Sequence, residues 1–152
     1  MKIIATNFEK DENGRGTTIA TVSMGVLDGY VAGNIEGFSD RLLQILPNLQ
    51  VDKSAMDGLY GKGASIARLV AHISLALQAE SGFISNYWQI NSTTQPGTYD
   101  VAFECEDAHA GDYACRAAYR ILRSALYRQR YSVSPDLNLL RSLKSGLERV
   151  AA

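Results

Sequence analysis

Residues 99–106 alternate strictly. Tyr99, Val101, Phe103 and Cys105 fall on one side of an extended chain, and Asp100, Ala102, Glu104 and Glu106 on the other. A period of two marks a strand with one face buried and one face wet. Asp107 then stands where a helix N-cap belongs, because its short carboxylate can accept from the first free N–H groups. Beyond it the period changes to 3.6. Ala114, Ala117, Ala118, Ile121, Leu122 and Ala125 gather on one side, and Arg116, Arg120, Arg123 and Arg130 gather opposite, with Tyr127 among them. A strand followed directly by an amphipathic helix predicts that the helix lies back across the sheet. Burying a large apolar side chain contributes roughly 1.5–3 kcal/mol, so Val101, Phe103, Ile121 and Leu122 are the expected anchors of the fold.

The remaining segments follow from the same two periods. Lys2 to Thr6 reads as a strand, Asp11 to Gly16 as a turn containing Asn13-Gly14, and Thr17 to Met24 as a second strand able to pair with the first. Gly25 to Gly37 is expected to be irregular, with a short turn near Asp28. Phe38 to Leu46 is a short helix with Phe38, Leu42, Ile45 and Leu46 inside, stopped by Pro47. Asn48 to Gly63 is expected to be loop, with a short strand at Leu49 to Val51. Ser65 is expected to cap a helix that runs to about Glu80, with Ile66, Leu69, Val70, Ile73 and Leu77 on its inner stripe. Tyr87 to Ile90 is a short strand, Asn91 to Gly97 a turn, and Ser134-Pro135-Asp136 opens a last helix with proline at its first position. Strands and helices do not alternate as βαβ units. The expectation is an α+β fold, a small and mainly antiparallel sheet with helices packed on one face, in one domain over 1–152.

Composition removes several function classes. Lys and Arg total 15 against 16 Asp and Glu, a net charge of −1, which opposes binding to nucleic acid through overall charge. No apolar run is long enough to span a bilayer. The two cysteines, Cys105 and Cys115, fit neither a metal-ligand spacing nor a disulfide framework; Cys105 reads as a small core residue. Reduced thiols and no recognisable secretion signal point to the cytoplasm. Gly58 to Ser65 brushes against a phosphate-binding loop, but Lys62 is followed by Gly63 where a hydroxyl residue is needed. The arginine row has two readings. One is a solvated helix face. The other is a surface for carboxylates or phosphates, which the planar guanidinium fork suits better than an ammonium does.

The serial order of segments carries a resemblance. Gly37-Phe38-Ser39-Asp40-Arg41-Leu42-Leu43 precedes a glycine-rich loop. Next come the helix Ile66 to Gln78, the turn Thr94-Gln95-Pro96-Gly97, the run Tyr99 to Glu104, and a helix in Ala and Arg from about Ala114. From about Thr18 to Leu126 this succession resembles the N-terminal domain of cyanophycin synthetase; Glu9 to Gly16 departs from it. The resemblance implies a parent enzyme in which ATP-grasp and Mur-ligase-like domains follow this one. Those domains would use ATP and Mg to build cyanophycin, a poly-aspartate carrying arginine on its side chains. It implies no cofactor and no ligase centre in this chain, and a role in holding the polymer for the ATP-dependent addition of Asp and Arg. Arg116, Arg120 and Arg123 are the expected carboxylate contacts. Glu104 and Glu106 are the expected guanidinium contacts, with Asp107 beside them.

In some relatives the resemblance also implies a zinc-dependent cleavage of cyanophycin that yields primers. Its pattern is His-x-x-Glu-His on the central helix with a further Glu one turn on. Two imidazoles four residues apart can share a metal while the Glu acts as base. Here those positions hold Arg68, Ala71 and His72, with Ala76 at the further one. One imidazole is too few, so no metal and no catalytic residue is expected. The alternatives are that zinc-dependent hydrolase, or a purely structural domain that uses its leucine-rich last helix in a homo-oligomer.

Overall fold

The computed structural model describes residues 1–49 and 62–151. Among these residues the sheet has four strands in the order β1-β2-β4-β3, all pairs antiparallel: β1 (Lys2–Lys10), β2 (Gly16–Ser23), β3 (Trp88–Ser92) and β4 (Thr98–Cys105). The α+β expectation holds. The first strand runs four residues past its expected end, because Phe8 continues the inward alternation opposite Thr18 and packs on the core. Among the described residues its outer edge is unpaired, and a register shift between Ile3 and Ala5 interrupts the regular pairing with β2, a device that discourages edge-to-edge pairing. The connector shrinks to a turn closed on Asp11, whose Oδ1 accepts from the backbone N–H of Asn13 at 2.9 Å and of Arg15 at 2.7 Å.

Among the described residues the helices are α1 (Phe38–Ile45), α2 (Lys62–Glu80), α3 (Ala108–Leu126) and α4 (Ser134–Ala151). The segment expected to be irregular contains two 3-10 turns, Gly25–Gly29 and Ala32–Asn34. Helices α2 and α3 lie side by side on one face of the sheet, where Ala20, Val22, Val101, Phe103, Ile121 and Leu122 are fully buried. The predicted inner stripe of α2 is buried at all five positions. From Gly63 to Ala71 every residue is buried, so this half of the helix is surrounded on all sides.

Three local expectations are corrected. Helix α2 starts at Lys62, so Ser65 is inside it instead of capping it, and the Ser65 Oγ accepts from the Ala32 N–H at 3.0 Å, tying the second 3-10 turn to the helix. Helix α3 ends at Leu126, so Arg130 lies beyond it and does not belong to its arginine face. Strand β3 begins at Trp88 and reaches Ser92, one and two residues later than expected. The short strand expected at Leu49 to Val51 lies outside the described residues beyond Leu49, as does the first half of the Gly58 to Ser65 loop; its second half, from Lys62, is helix instead of loop. Asp107 caps α3 as expected, accepting from the N–H groups of His109 and Ala110. Cys105 and Cys115 are buried free thiols; burial pushes the Cys115 thiol up to about 12.

Candidate functional site

The arginines of α3 do project outward, but each is already engaged. Arg116 Nε is 3.0 Å from Asp112 Oδ2, one turn back, and Asp112 also accepts from the Thr6 hydroxyl of β1. Arg123 Nη1 donates to the Tyr119 hydroxyl at 3.3 Å, and its guanidinium carbon lies 5.8 Å from the Tyr127 ring centroid. Arg120 reaches furthest: Nη2 is 3.2 Å from Asp136 Oδ1 at the start of α4, and Nε donates to the Tyr131 hydroxyl. Asp136 is almost fully buried and also accepts from the Tyr113 and Tyr131 hydroxyls. Part of the arginine row is therefore the clasp that docks α4 on α3. The rest keeps guanidinium donors turned to solvent, since among the described residues Arg116 uses its Nε and Arg123 one Nη.

The two glutamates come together at the opposite end of the sheet. Glu104 and Glu106 line a groove of about 380 Å³ with Asn13, Arg15 and Ile84. Glu104 Oε2 is 3.1 Å from Arg15 Nε, with the arginine side chain 61% exposed and the glutamate 17%. Glu106 accepts from the Ile84 N–H at 2.8 Å and from Lys144 Nζ at 2.8 Å. Burial raises the Glu106 carboxyl, but these two donors outweigh it and leave it below the ordinary carboxylate value. Asp107 is the cap of α3 and is spent on that task. Gln78 fixes the floor. Fully buried on α2, it donates from Nε2 to the Glu104 carbonyl at 3.2 Å, while Glu104 N–H bonds the Tyr87 carbonyl. Sequence reading missed Gln78, Arg15, Ile84 and Lys144. Only the register of β2 against β4, which sets Gly16 opposite Cys105 and Thr17 opposite Glu104, brings the Arg15 turn to this groove. A buried glutamine on an otherwise apolar stripe was the one signal available.

Two positions of the degenerate metal motif, Arg68 and His72, pack against Trp88. Arg68 is 3% exposed, with its guanidinium carbon 4.8 Å from the Trp88 ring centroid, and the His72 ring lies 4.7 Å from the same ring. Ala71 is fully buried, and Ala76 faces partly outward. This set does not fit zinc. A fixed guanidinium stands where a neutral imidazole ligand is required, so it would repel the cation, and Ala71 offers no base. Among the described residues no group of three or more His, Cys, Asp or Glu side chains is placed to hold a metal ion. No helix among them is long and apolar enough to cross a membrane.

The family model of the cyanophycin synthase-like N-terminal domain matches residues 20–127. Among curated proteins, a cyanophycin synthetase of Synechocystis sp. is 34% identical over 122 residues, which covers 74% of this chain and 14% of that protein. Cyanophycin synthetases of Crocosphaera subtropica and Geminocystis herdmanii are each 32% identical, over 125 and 121 residues, covering 76% and 74% of this chain and 14% of each relative. The match spans about one-seventh of the length of these relatives. It takes in β2 from Ala20, all of the groove's glutamates and the whole of α3, and the chain belongs to the cyanophycin synthase-like N-terminal domain family.

Proposed function

We propose that this chain is a non-catalytic module that binds cyanophycin, the arginine-bearing poly-aspartate, and holds it for ATP-dependent Asp and Arg addition by ATP-grasp and Mur-ligase-like domains of a parent synthetase. The observation that carries this reading is the Arg15–Glu104 pair at 3.1 Å. A guanidinium already rests on the carboxylate that the sequence singles out as a guanidinium acceptor. Because Arg15 is well exposed, the pair contributes only about 0.2–1 kcal/mol and can be exchanged. A polymer that presents a guanidinium at every unit would displace Arg15, with Ile84, 76% exposed, beside it as an apolar surface for the arginine methylenes. The free donors of Arg116 and Arg123 supply the opposite sign for carboxylates of the same polymer.

The test is retention of the full chain on insoluble cyanophycin at low salt. R15A removes the internal competitor and should raise retention by up to about fivefold, the equivalent of the lost ion pair. E104Q should lower it, and added salt should lower it in every variant. Retention that is absent in the wild type, or that is unmoved by both substitutions, overturns the reading.

A further inference from the structure

The end of α3 holds a second charged feature, separate from the groove above. Tyr127 is the last, half-helical residue; Arg128 follows with φ 57°, and the Gln129 N–H returns to the Ser124 carbonyl at 2.8 Å. This is the hydrogen-bond pattern of a Schellman ending, in which the left-handed position is ordinarily glycine. The second orphan carbonyl, that of Ala125, accepts from Arg41 Nε of α1 at 2.6 Å, and Arg41 Nη1 donates to the Glu36 carbonyl at 3.0 Å. Arg41 is thus fixed by two backbone carbonyls. Arg41, Arg128 and Arg130 line one cleft of about 350 Å³, together with Gln44, Gln129 and Tyr131.

Compensation of the helix dipole accounts for one of these cations, since Arg41 already meets the exposed carbonyl end. It does not account for the other two. Among the described residues none of the three arginines is paired with a carboxylate. Arg128 holds a left-handed conformation that is unfavourable for a non-glycine residue, so a charged side chain stands where glycine would fit more easily. Three like charges in a cleft with two amides as further donors make a site of positive potential without its counter-charge. We propose that this cleft binds a multiply charged oxyanion, of which inorganic phosphate is the smallest example, by charge-assisted hydrogen bonds from the Arg128 and Arg130 forks toward the fixed Arg41. The same oxygens can be offered by a phosphate ester or by neighbouring carboxylates.

The experiment compares the full chain with the double variant R128G/R130Q in calorimetric titrations with inorganic phosphate and with succinate, each against chloride at matched ionic strength. Glycine suits the backbone at 128, so the variant should melt no lower than the wild type, and R130Q alone, beyond the helix, gives a second folded control. The expected result is binding to the wild type that falls at least about tenfold in the double variant and by less in R130Q. Stronger phosphate than succinate assigns phosphate esters as the source, and the reverse assigns carboxylates. Heats no larger than in chloride, or equal in wild type and double variant, overturn the proposal. E104Q should leave phosphate binding unchanged, so this site and the polymer groove can fail independently.

Discussion

Arg120 on α3 and Asp136 at the start of α4 meet at 3.2 Å, with the aspartate side chain 5% exposed and the arginine side chain 45%. Asp136 is the buried partner in a group that includes the Tyr113 and Tyr131 hydroxyls. Removing it strands three donors; removing Arg120 leaves the Asp136 carboxylate still held by two tyrosine hydroxyls. D136A should therefore destabilise the chain by about 2–3 kcal/mol and R120A by about 1 kcal/mol or less. Urea unfolding followed by circular dichroism measures both. Equal effects would mean that the clasp is not organised around the aspartate.

A second prediction concerns alkaline pH. The Tyr99 hydroxyl donates to Asp28 Oδ1 at 2.7 Å, and its pKa is pushed up to about 12 from an ordinary 10.0, by burial first and by the Asp28 hydrogen bond and charge next. In the folded state the proton is held more tightly than in the unfolded chain. The stabilisation is thus complete below about pH 10 and is lost as pH rises toward about 12. Y99F should lower stability near neutral pH and flatten the fall between those limits. Thermal melts of both proteins from pH 8 to 11.5 should converge; parallel curves would sink the assignment.

Two helical glycines should respond oppositely to alanine. A Cβ at Gly111 would come within 2.2 Å of Thr18 Oγ1 and 2.7 Å of Cys105 Sγ, where α3 crosses the sheet. A Cβ at Gly146 would meet nothing within 4 Å. G111A is expected to cost about 1–3 kcal/mol through overpacking, in spite of alanine's better helix propensity. G146A should gain up to about 1 kcal/mol from that propensity alone. Differential scanning calorimetry should show the two melting temperatures moving apart from the wild type.

Zinc provides a fourth test. With Arg68 against Trp88 at a ligand position, added zinc should not raise the melting temperature, and cyanophycin incubated with the chain and zinc should release no soluble fragments. Turnover that a chelator abolishes would show that other residues hold the metal.

The arginine row shows where sequence reasoning stops. Its exposure was legible because a period of 3.6 fixes which side of a helix is wet. Its partners were not, because Asp136 lies 16 residues further along, in a helix whose docking direction depends on contacts across α2, α3 and α4. Arg130 was misplaced by the same logic. Periodicity carries no stop signal, and the end of α3 is set by a left-handed arginine where sequence gives no glycine.

The alternation from Tyr99 to Cys105, the Asp107 cap and the inner stripes of α2 and α3 needed only the sequence, because backbone geometry repeats locally and burial follows the repeat. The absence of a complete metal motif on α2 was equally plain, since ligand chemistry is a matter of residue type. The pairing of Arg15 with Glu104, the burial of Arg68 beside Trp88 and the gathering of Arg41, Arg128 and Arg130 were decided by the tertiary structure alone. Each joins side chains far apart in the chain, and which charges meet depends on strand register and helix endings, which are settled by packing across the whole core.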